Sequence, residues 1–333
     1  MALALCLATD GMSGAEKPIN LKLGTLAPVG SSYHKSLQAM GEKWRTLTGG
    51  AVRLTIYAGG TQGSESDMVG LMQTGSLDAG LLTTVGLSEI EPDVAGLQSM
   101  PMAFRSLEEV DYVGEKLSPL LERRLAAKGY LVLFWSDSGW VRFFTTAPVV
   151  HPDDLKKLKI FSWAANPREY DIWKADGCNP VSLETAAIPQ GFLSGTISAI
   201  STPPLFALAS QIDGQAKYML ELNWAPLVGA MVVRAKSWER IPAETRTAML
   251  QAAAEAGQRI KADGRGENDR AVQAMVKRGL HVQTVTPGVE EEWRQEVAKV
   301  QDLIRGKVVP EDVYDEAHRL LREFRARAGG KPK

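Results

Sequence analysis

Two serines and a histidine lie within four residues near the start of the chain. Ser31, Ser32 and His34 are the residue types of an activated serine nucleophile, in which an imidazole takes the hydroxyl proton. A helical pattern begins at about Tyr33, however, and serines at a helix start cap its free N–H groups. No GxSxG elbow occurs in the chain. The helix-capping interpretation is therefore favoured over a hydrolase.

Other motifs that could carry chemistry are incomplete. A glycine-rich stretch, residues 58–63, follows a predicted strand, but it has neither the lysine of a P-loop nor GxGxxG spacing. Asp153-Asp154 stands at a predicted helix start, where carboxylates offset the helix dipole, and is interpreted as a cap rather than a metal or acid–base pair. We therefore predict neither nucleotide binding nor catalysis by these residues.

Cysteine and histidine are too sparse for a metal or redox site. The chain has two cysteines, Cys6 and Cys178, and four histidines that are far apart in sequence. Neither CxxC nor HExxH spacing occurs. Cys178 is interpreted as a small apolar core residue. We predict no metal, no cofactor and no enzymatic activity.

Tryptophan is the conspicuous residue type, with eight copies in 333 residues. Several lie near the ends of predicted strands, where open α/β sheets bind ligands; they include Trp135, Trp140, Trp163, Trp173 and Trp224. Packing in the core is the competing interpretation for each one.

The charges are balanced, with 38 Lys plus Arg against 39 Asp plus Glu, which argues against nucleic acid as the main partner.

Apolar alternation and helical periodicity follow one another along most of the chain. Strands are predicted at about 20–26, 52–57, 78–83, 130–135, 158–163, 196–201 and 281–285. Helices are predicted at about 33–47, 107–127, 167–175, 184–195, 242–278, 288–305 and 310–327. A further helix is predicted to end near Gly75. This order predicts an α/β protein with parallel sheets covered by helices.

Two features indicate two similar lobes. The segments 75–79 and 195–199 share a helix-ending glycine, a small residue, an aliphatic residue, a small polar residue and alanine, and both lead into a strand. The predicted helix 242–278 is long enough to span two lobes, and Gly264 and Gly266 are expected to kink it or soften its middle. The length of the chain also favours two domains.

The N-terminal residues 2–8 are apolar but too few to span a bilayer, which takes about 20 residues. They are typical of the end of a secretory signal. The run Leu3-Ala4-Leu5-Cys6 is similar to a lipoprotein cleavage box, except that Leu5 is bulky. We expect an exported, periplasmic protein, with a lipid anchor as a variant of that prediction.

In its order of short motifs, the chain resembles the solute-binding proteins of TRAP (tripartite ATP-independent periplasmic) transporters, the DctP family. The most specific stretch is the run from Pro152 to Ile160. The other matching stretches are residues 23–28, 48–54, 74–78 and 100–104. The resemblance covers nearly the whole chain from about residue 18.

The resemblance implies a two-lobe periplasmic-binding-protein fold with a hinge and a long helix spanning both lobes. Its expected boundaries are a leader at 1–17, lobe I at 18–141 plus about 229–267, lobe II at 142–228 plus about 268–287, and C-terminal helices at 288–333. It also implies closure over a small organic solute and delivery to the membrane permease subunits of the transporter.

The resemblance further implies that an arginine after Lys159-Ile160 clamps a ligand carboxylate, but this chain has Phe161 there. A second family arginine is matched by Arg142, and a family asparagine corresponds to Thr202. We predict a ligand site at Arg142, Phe161, Trp163, Trp140, Thr83, Thr84, Ser201, Thr202 and Trp224.

Two interpretations of Phe161 stay open. It faces a less charged, more apolar ligand, or it only packs while Arg142 or Arg168 holds a carboxylate. An alternative function follows from the first, namely a branch of the family that carries an apolar ligand and works with a helical-repeat partner. An enzyme on the same scaffold is a further alternative. We expect a monomer or a weak dimer.

Overall fold

The computed structural model describes residues 17–164 and 166–329, which fold into α-helices around a single mixed sheet. The predicted leader and lipoprotein box fall outside these residues. The strands are β1 (Ile19–Thr25), β2 (Val52–Tyr57), β3 (Ala79–Thr83), β4 (Tyr130–Thr145), β5 (Lys159–Trp163), β6 (Asn179–Leu183), β7 (Ala199–Thr202), β8 (Tyr218–Arg234) and β9 (His281–Thr284).

The helices largely follow the predicted periodicity. They are α1 (Ser32–Leu47), α2 (Glu65–Thr74), α3 (Thr84–Ile90), α4 (Leu107–Ala127), α5 (Pro152–Lys156), α6 (Pro167–Ala175), α7 (Ile188–Leu193), α8 (Pro204–Ala209), α9 (Ala235–Trp238), α10 (Ala243–Lys277), α11 (Pro287–Lys299), α12 (Gln301–Leu303) and α13 (Glu311–Gly329). Short 3₁₀ turns lie at Pro92–Leu97, Thr185–Ala187 and Ile212–Gly214, and a π-helical turn at Ile304–Val308.

The two lobes share the long antiparallel strands β4 and β8. The strand order is β2-β1-β3-β8-β4-β7-β5-β6, and β9 pairs with the start of β8. Lobe I contains β1, β2 and β3 with the first half of β4 and the last half of β8, and lobe II contains the remaining strands and half-strands. We call residues 137–141 of β4 and 225–228 of β8 the crossing segments, because they join the lobes.

The repeated segments predicted from sequence occupy equivalent places in the two lobes. Gly75 ends α2 and Gly195 follows α7, both with positive φ, the left-handed conformation that glycine adopts without strain. β3 then begins at Ala79 beside β8, and β7 begins at Ala199 beside β4. Each strand therefore lies next to a crossing strand in its own lobe.

The long helix α10 spans both lobes as predicted, and its 35 residues extend about 52 Å. It packs against the core of lobe I through Ile260 and against that of lobe II through Met275. The expected kink at Gly264 is wrong, because α10 is continuous there. A Cβ at Gly264 would lie 2.4 Å from the hydroxyl oxygen of Tyr33, so the glycine permits close packing of α1 instead.

Four apolar clusters cover the two faces of the sheet in the two lobes. In lobe I, α2, α4 and α13 pack on one face, and α1 and α10 on the other. In lobe II, α7, α8 and the end of α10 pack on one face, and α5, α6 and α11 on the opposite face. No helix in the described part of the chain is long and apolar enough to cross a membrane.

Candidate ligand-binding site

The carboxyl ends of β3 and β7 both point toward the crossing segments. β3 runs antiparallel to β8 and its last residue, Thr83, pairs with Gly229. β7 runs antiparallel to β4 and its last residue, Thr202, pairs with Arg142. The strand ends of both lobes, where α/β sheets bind ligands, thus lie next to the segments about which the lobes are joined.

Arg142 lies at the lobe II end of its crossing segment, with its side chain 18% exposed. In the described part of the chain, its guanidinium donates no hydrogen bond, and the carboxylate within ion-pair distance is that of Glu221, at 3.9 Å. Burial lowers the pKa of Arg142, and the negative charges of Glu221 and Asp269 only partly oppose this. A mostly buried cation is therefore left without close partners.

Phe161 is part of the lobe II core rather than a surface. It is 1% exposed and packs in the cluster that contains Phe144 and Ile200. The edge of its ring meets Trp163, with centroids 4.9 Å apart, and Trp163 is the partly exposed last residue of β5. In this structure Trp163, not Phe161, presents an aromatic surface at the strand end.

Trp224 packs on the face of the lobe II sheet opposite to that of Phe161. It stacks on Trp173 of α6 at 5.5 Å, and Phe143 and Trp293 complete the aromatic group. This group belongs to a different apolar cluster from that of Phe161. Trp224 and Phe161 therefore do not form one aromatic wall.

The expectation that several tryptophans end strands is wrong for most of them. Trp135 and Trp140 lie inside β4, and Trp224 lies inside β8, because both strands are much longer than the apolar pattern suggests. Trp140 is opposite Pro226 in the crossing segments and packs against the lobe I core. It is thus close to the junction of the lobes, but on the side of lobe I.

Thr83 makes its hydrogen bonds within lobe I, and Thr84 is buried at the start of α3. The carboxylate of Glu65 accepts hydrogen bonds from the Thr83 backbone N–H (2.7 Å), the Thr83 hydroxyl (2.6 Å) and the Gly86 N–H (2.9 Å). Thr83 also caps α3 by accepting from the Val85 N–H. Burial raises the pKa of Glu65, and the donated hydrogen bonds oppose that shift.

Ser201 and Thr202 are buried neighbours on β7 whose side chains alternate between the two faces of the sheet. Ser201 pairs with Phe143, on the side of the aromatic group, and Thr202 pairs with Arg142. The structure thus brings Arg142 and Thr202 together and places Trp163 at the end of the next strand. Trp224 packs in the other apolar cluster of lobe II, and Thr83 and Thr84 belong to lobe I.

A charged network that the sequence analysis did not identify fixes the crossing segment of β4. Arg265 of α10 donates to both carboxylate oxygens of buried Asp137 (2.9 and 2.7 Å) and to Asp111 of α4. Asn268 donates to the Ser138 carbonyl and accepts from the Leu205 N–H. No short sequence motif identifies these residues, because the residues that they contact across the junction are more than 60 positions away in sequence.

The residues first considered for catalysis have structural contacts. Ser31 caps α1 by accepting from the His34 N–H, and Ser32 donates to Glu267 at 2.7 Å. Asp154 accepts from the His151 N–H as a cap of α5. Among the described residues, no group of three metal-ligating side chains comes together.

Two cavities lie away from Arg142. One of 790 Å³ is on the outside of lobe I, between α1 and the edge of the sheet, and is lined by Arg45 and Arg53 among others. Another of 60 Å³ is beside the crossing segments, between Trp135 and α4. Neither is lined by any of the nine predicted ligand-binding residues.

Comparison with known proteins identifies the family. The family model for bacterial extracellular solute-binding proteins of family 7, DctP, matches residues 23–305. The C4-dicarboxylate-binding periplasmic protein DctP of Rhodobacter capsulatus is 22% identical over 94% of this chain and 93% of its own length.

Solved structures share the fold at low sequence identity. A TRAP periplasmic solute-binding protein of Ralstonia eutropha with bound (S)-2-acetolactate has a TM-score of 0.84 at 19% identity, covering 91% of this chain and 99% of that chain. An extracytoplasmic solute receptor of Bordetella pertussis binding pyroglutamic acid has a TM-score of 0.81 at 21% identity, with the same coverage of both chains.

These matches confirm the two-lobe fold and the resemblance found from short motifs. The family is one of periplasmic transport proteins rather than of enzymes. By its family match over most of its length, the chain belongs to the DctP family of TRAP-transporter solute-binding proteins.

Proposed function

We propose that this protein captures a small organic acid between its lobes in the periplasm and delivers it to the membrane permease of a TRAP-type transporter. The observation that carries the proposal is Arg142, a mostly buried guanidinium at the junction of the lobes that has no hydrogen-bond acceptor at bonding distance among the described residues. A ligand carboxylate would supply the missing acceptor.

The physical reason is the cost of a poorly paired buried charge. Burying a cation without acceptors is unfavourable, and hydrogen bonds to charged groups contribute about 1.5–3 kcal/mol. A planar guanidinium can donate to both oxygens of one carboxylate, which fixes the orientation of the ligand. Thr202 and Trp163, at neighbouring strand ends, would then contact the rest of the solute.

Burial of Phe161 in the lobe II core supports the interpretation in which it packs while an arginine holds the carboxylate. The relatives support the same class of ligand, since the three described above bind a C4-dicarboxylate, 2-acetolactate or pyroglutamic acid. They give no support to the apolar ligand with a helical-repeat partner. The predicted lobe boundaries, lipid anchor and oligomeric state stay predictions.

The test is calorimetric titration of the purified protein with succinate, 2-acetolactate, pyroglutamate and galacturonate, followed by the same titrations on Arg142→Gln. We expect at least one acid to bind, and the variant to bind it about 10- to 100-fold more weakly, as the loss of a charged hydrogen-bonded pair implies.

Arg168→Gln is the matched control, because Arg168 is an exposed arginine at the start of α6 and is the other candidate for the carboxylate. We expect this variant to bind like the unmodified protein. A loss of affinity in Arg168→Gln with none in Arg142→Gln would refute the assignment, and binding of none of the acids would refute the proposed ligand class.

A further inference from the structure

Two carboxylates, those of Glu221 and Asp269, act on the Arg142 guanidinium. Glu221 stands on β8, opposite the Arg142 region of β4, with its carboxylate 3.9 Å from the guanidinium and 49% exposed. Asp269, an exposed residue of α10, also acts on Arg142. Together, Arg142, Glu221 and Asp269 carry one negative charge more than positive charge.

Glu221 is held at this position by the sheet. Its backbone pairs with Thr284 of β9 on one side, and the neighbouring Leu220 pairs with Phe143 of β4 on the other. At 3.9 Å its carboxylate is too far from the guanidinium to accept a hydrogen bond. Glu221 thus offsets the charge of Arg142 without occupying the N–H groups that would bind a ligand.

β5, which lies beyond β7, has no cation within residues 161–163 at its carboxyl end. β5 presents Phe161, buried and uncharged, and then Trp163 on the way to its carboxyl end. A solute with one carboxylate would satisfy Arg142 and place its uncharged part toward Trp163. A second carboxylate held near Arg142 would be repelled by Glu221 and Asp269.

On the basis of the proposed function, we propose that Glu221, assisted by Asp269, is a specificity-determining residue that restricts the site to solutes with a single negative charge. Two like charges several ångströms apart near a protein surface repel by an amount worth about tenfold in affinity, and salt weakens that repulsion. Monocarboxylates are therefore the preferred ligands, and dicarboxylates of the same size are disfavoured.

The test uses acids and their monoamides, which have nearly the same shape but differ by one charge. Succinate is compared with succinamate, and glutarate with glutaramate, by calorimetric titration of the unmodified protein, Glu221→Gln and Glu291→Gln. Glu291→Gln is the control, since Glu291 is a similarly exposed lobe II glutamate on α11 whose ion-pair partner is Arg294, and it changes the net charge equally.

We expect the unmodified protein to bind the monoamides more tightly than the diacids. In Glu221→Gln the affinity for diacids rises about tenfold relative to that for monoamides, and in Glu291→Gln the ratio stays unchanged. Asp269→Asn shifts the ratio in the same direction but less, because Asp269 is exposed to solvent. High salt reduces the preference of the unmodified protein.

Two results would overturn the charge restriction while leaving the proposed function intact. One is tighter binding of diacids than of monoamides to the unmodified protein, with affinity that depends on Arg142. The other is an equal change for both members of each pair in Glu221→Gln. Failure of the proposed function looks different, because carboxylate binding is then absent or insensitive to Arg142→Gln.

Discussion

In lobe I the carboxylate of Glu65 accepts three hydrogen bonds within 3 Å, from Thr83 and Gly86. In lobe II the guanidinium of Arg142 has one carboxylate at 3.9 Å and, among the described residues, no acceptor at hydrogen-bond distance. Both groups lie near a strand end that points toward the crossing segments. The polar group of lobe I has its partners within the fold, whereas that of lobe II is the group that we propose binds the ligand.

The comparison distinguishes buried polar groups that have partners within the fold from those that lack them. A buried polar group that has all its partners stabilises the fold, and replacing it leaves those partners unpaired. A buried charge without partners costs stability in the free protein and gains its partners on binding. The lobes therefore resemble each other in topology but differ in which side chains are available to a solute.

The largest effect on stability is expected from Glu65→Ala. It removes the acceptor for three donors, the buried Gly86 N–H and two groups of half-buried Thr83, so we expect the free energy of unfolding to fall by about 3–5 kcal/mol, as the loss of several hydrogen bonds to one carboxyl group implies. Urea unfolding measures the change. Arg142→Met is the contrast, with a change of less than about 1 kcal/mol, because it leaves no close partner unpaired. A larger loss in Arg142→Met than in Glu65→Ala would invalidate the comparison.

A smaller, pH-dependent effect is expected at Glu169, on α6 of lobe II. Burial raises its pKa to about 7, and the indole of Trp173 only partly opposes that shift. The folded protein thus holds a proton that the unfolded chain releases above about pH 4.5. The stability that this bound proton adds to the folded protein is present in acid and is lost as the pH rises toward 7.

Glu169→Gln removes that dependence. We expect the variant to match the unmodified protein near pH 4 and to be more stable by about 1–2 kcal/mol at pH 8, since the raised pKa no longer acts and the residue is partly exposed. Urea unfolding across this range gives the difference at each pH. Equal pH profiles for the two proteins would show that Glu169 ionises as freely in the folded protein as in the unfolded chain.

The smallest effects come from a matched pair of threonines. Thr83→Val removes a hydrogen bond to Glu65 and a cap of α3, so we expect a loss of about 1–2 kcal/mol in unfolding free energy. The hydroxyl of Thr202 makes no hydrogen bond within residues 17–164 and 166–329, so Thr202→Val should cost less than about 0.5 kcal/mol. Equal losses in thermal unfolding would remove the distinction between the two strand ends.

Periodicity predicted most elements because amphipathic helices and short strands carry their signal locally. α4 and β2 occur with the predicted bounds, and the repeated segments before β3 and β7 have equivalent places. The predicted strand at 130–135 continues to Thr145, and β8 was not predicted at all. Both strands cross from one lobe to the other. Their side chains therefore lie in a lobe core along part of the strand and at the junction of the lobes along the rest, so the simple apolar alternation is lost.

The structure brings together part of the predicted site, and ligand binding there stays a prediction. The motif resemblance identified Arg142 and Thr202, which the structure pairs across β4 and β7. The aromatic wall was wrong as one surface, because Phe161 and Trp224 lie in different clusters. The face of the sheet that each of these side chains occupies depends on the register of the neighbouring strands. A shift of one residue would move each side chain to the opposite face.

The sequence by itself determined the class of this protein, because the order of strands, helices and short motifs is written in contiguous residues. Tertiary structure alone decided which polar groups have partners. Glu65 and Thr83 are 18 residues apart, and Arg142 and Glu221 are brought together from different strands. Hydrogen-bond satisfaction and burial depend on such distant contacts, so only the folded chain shows that Arg142 has no hydrogen-bond acceptor among the described residues.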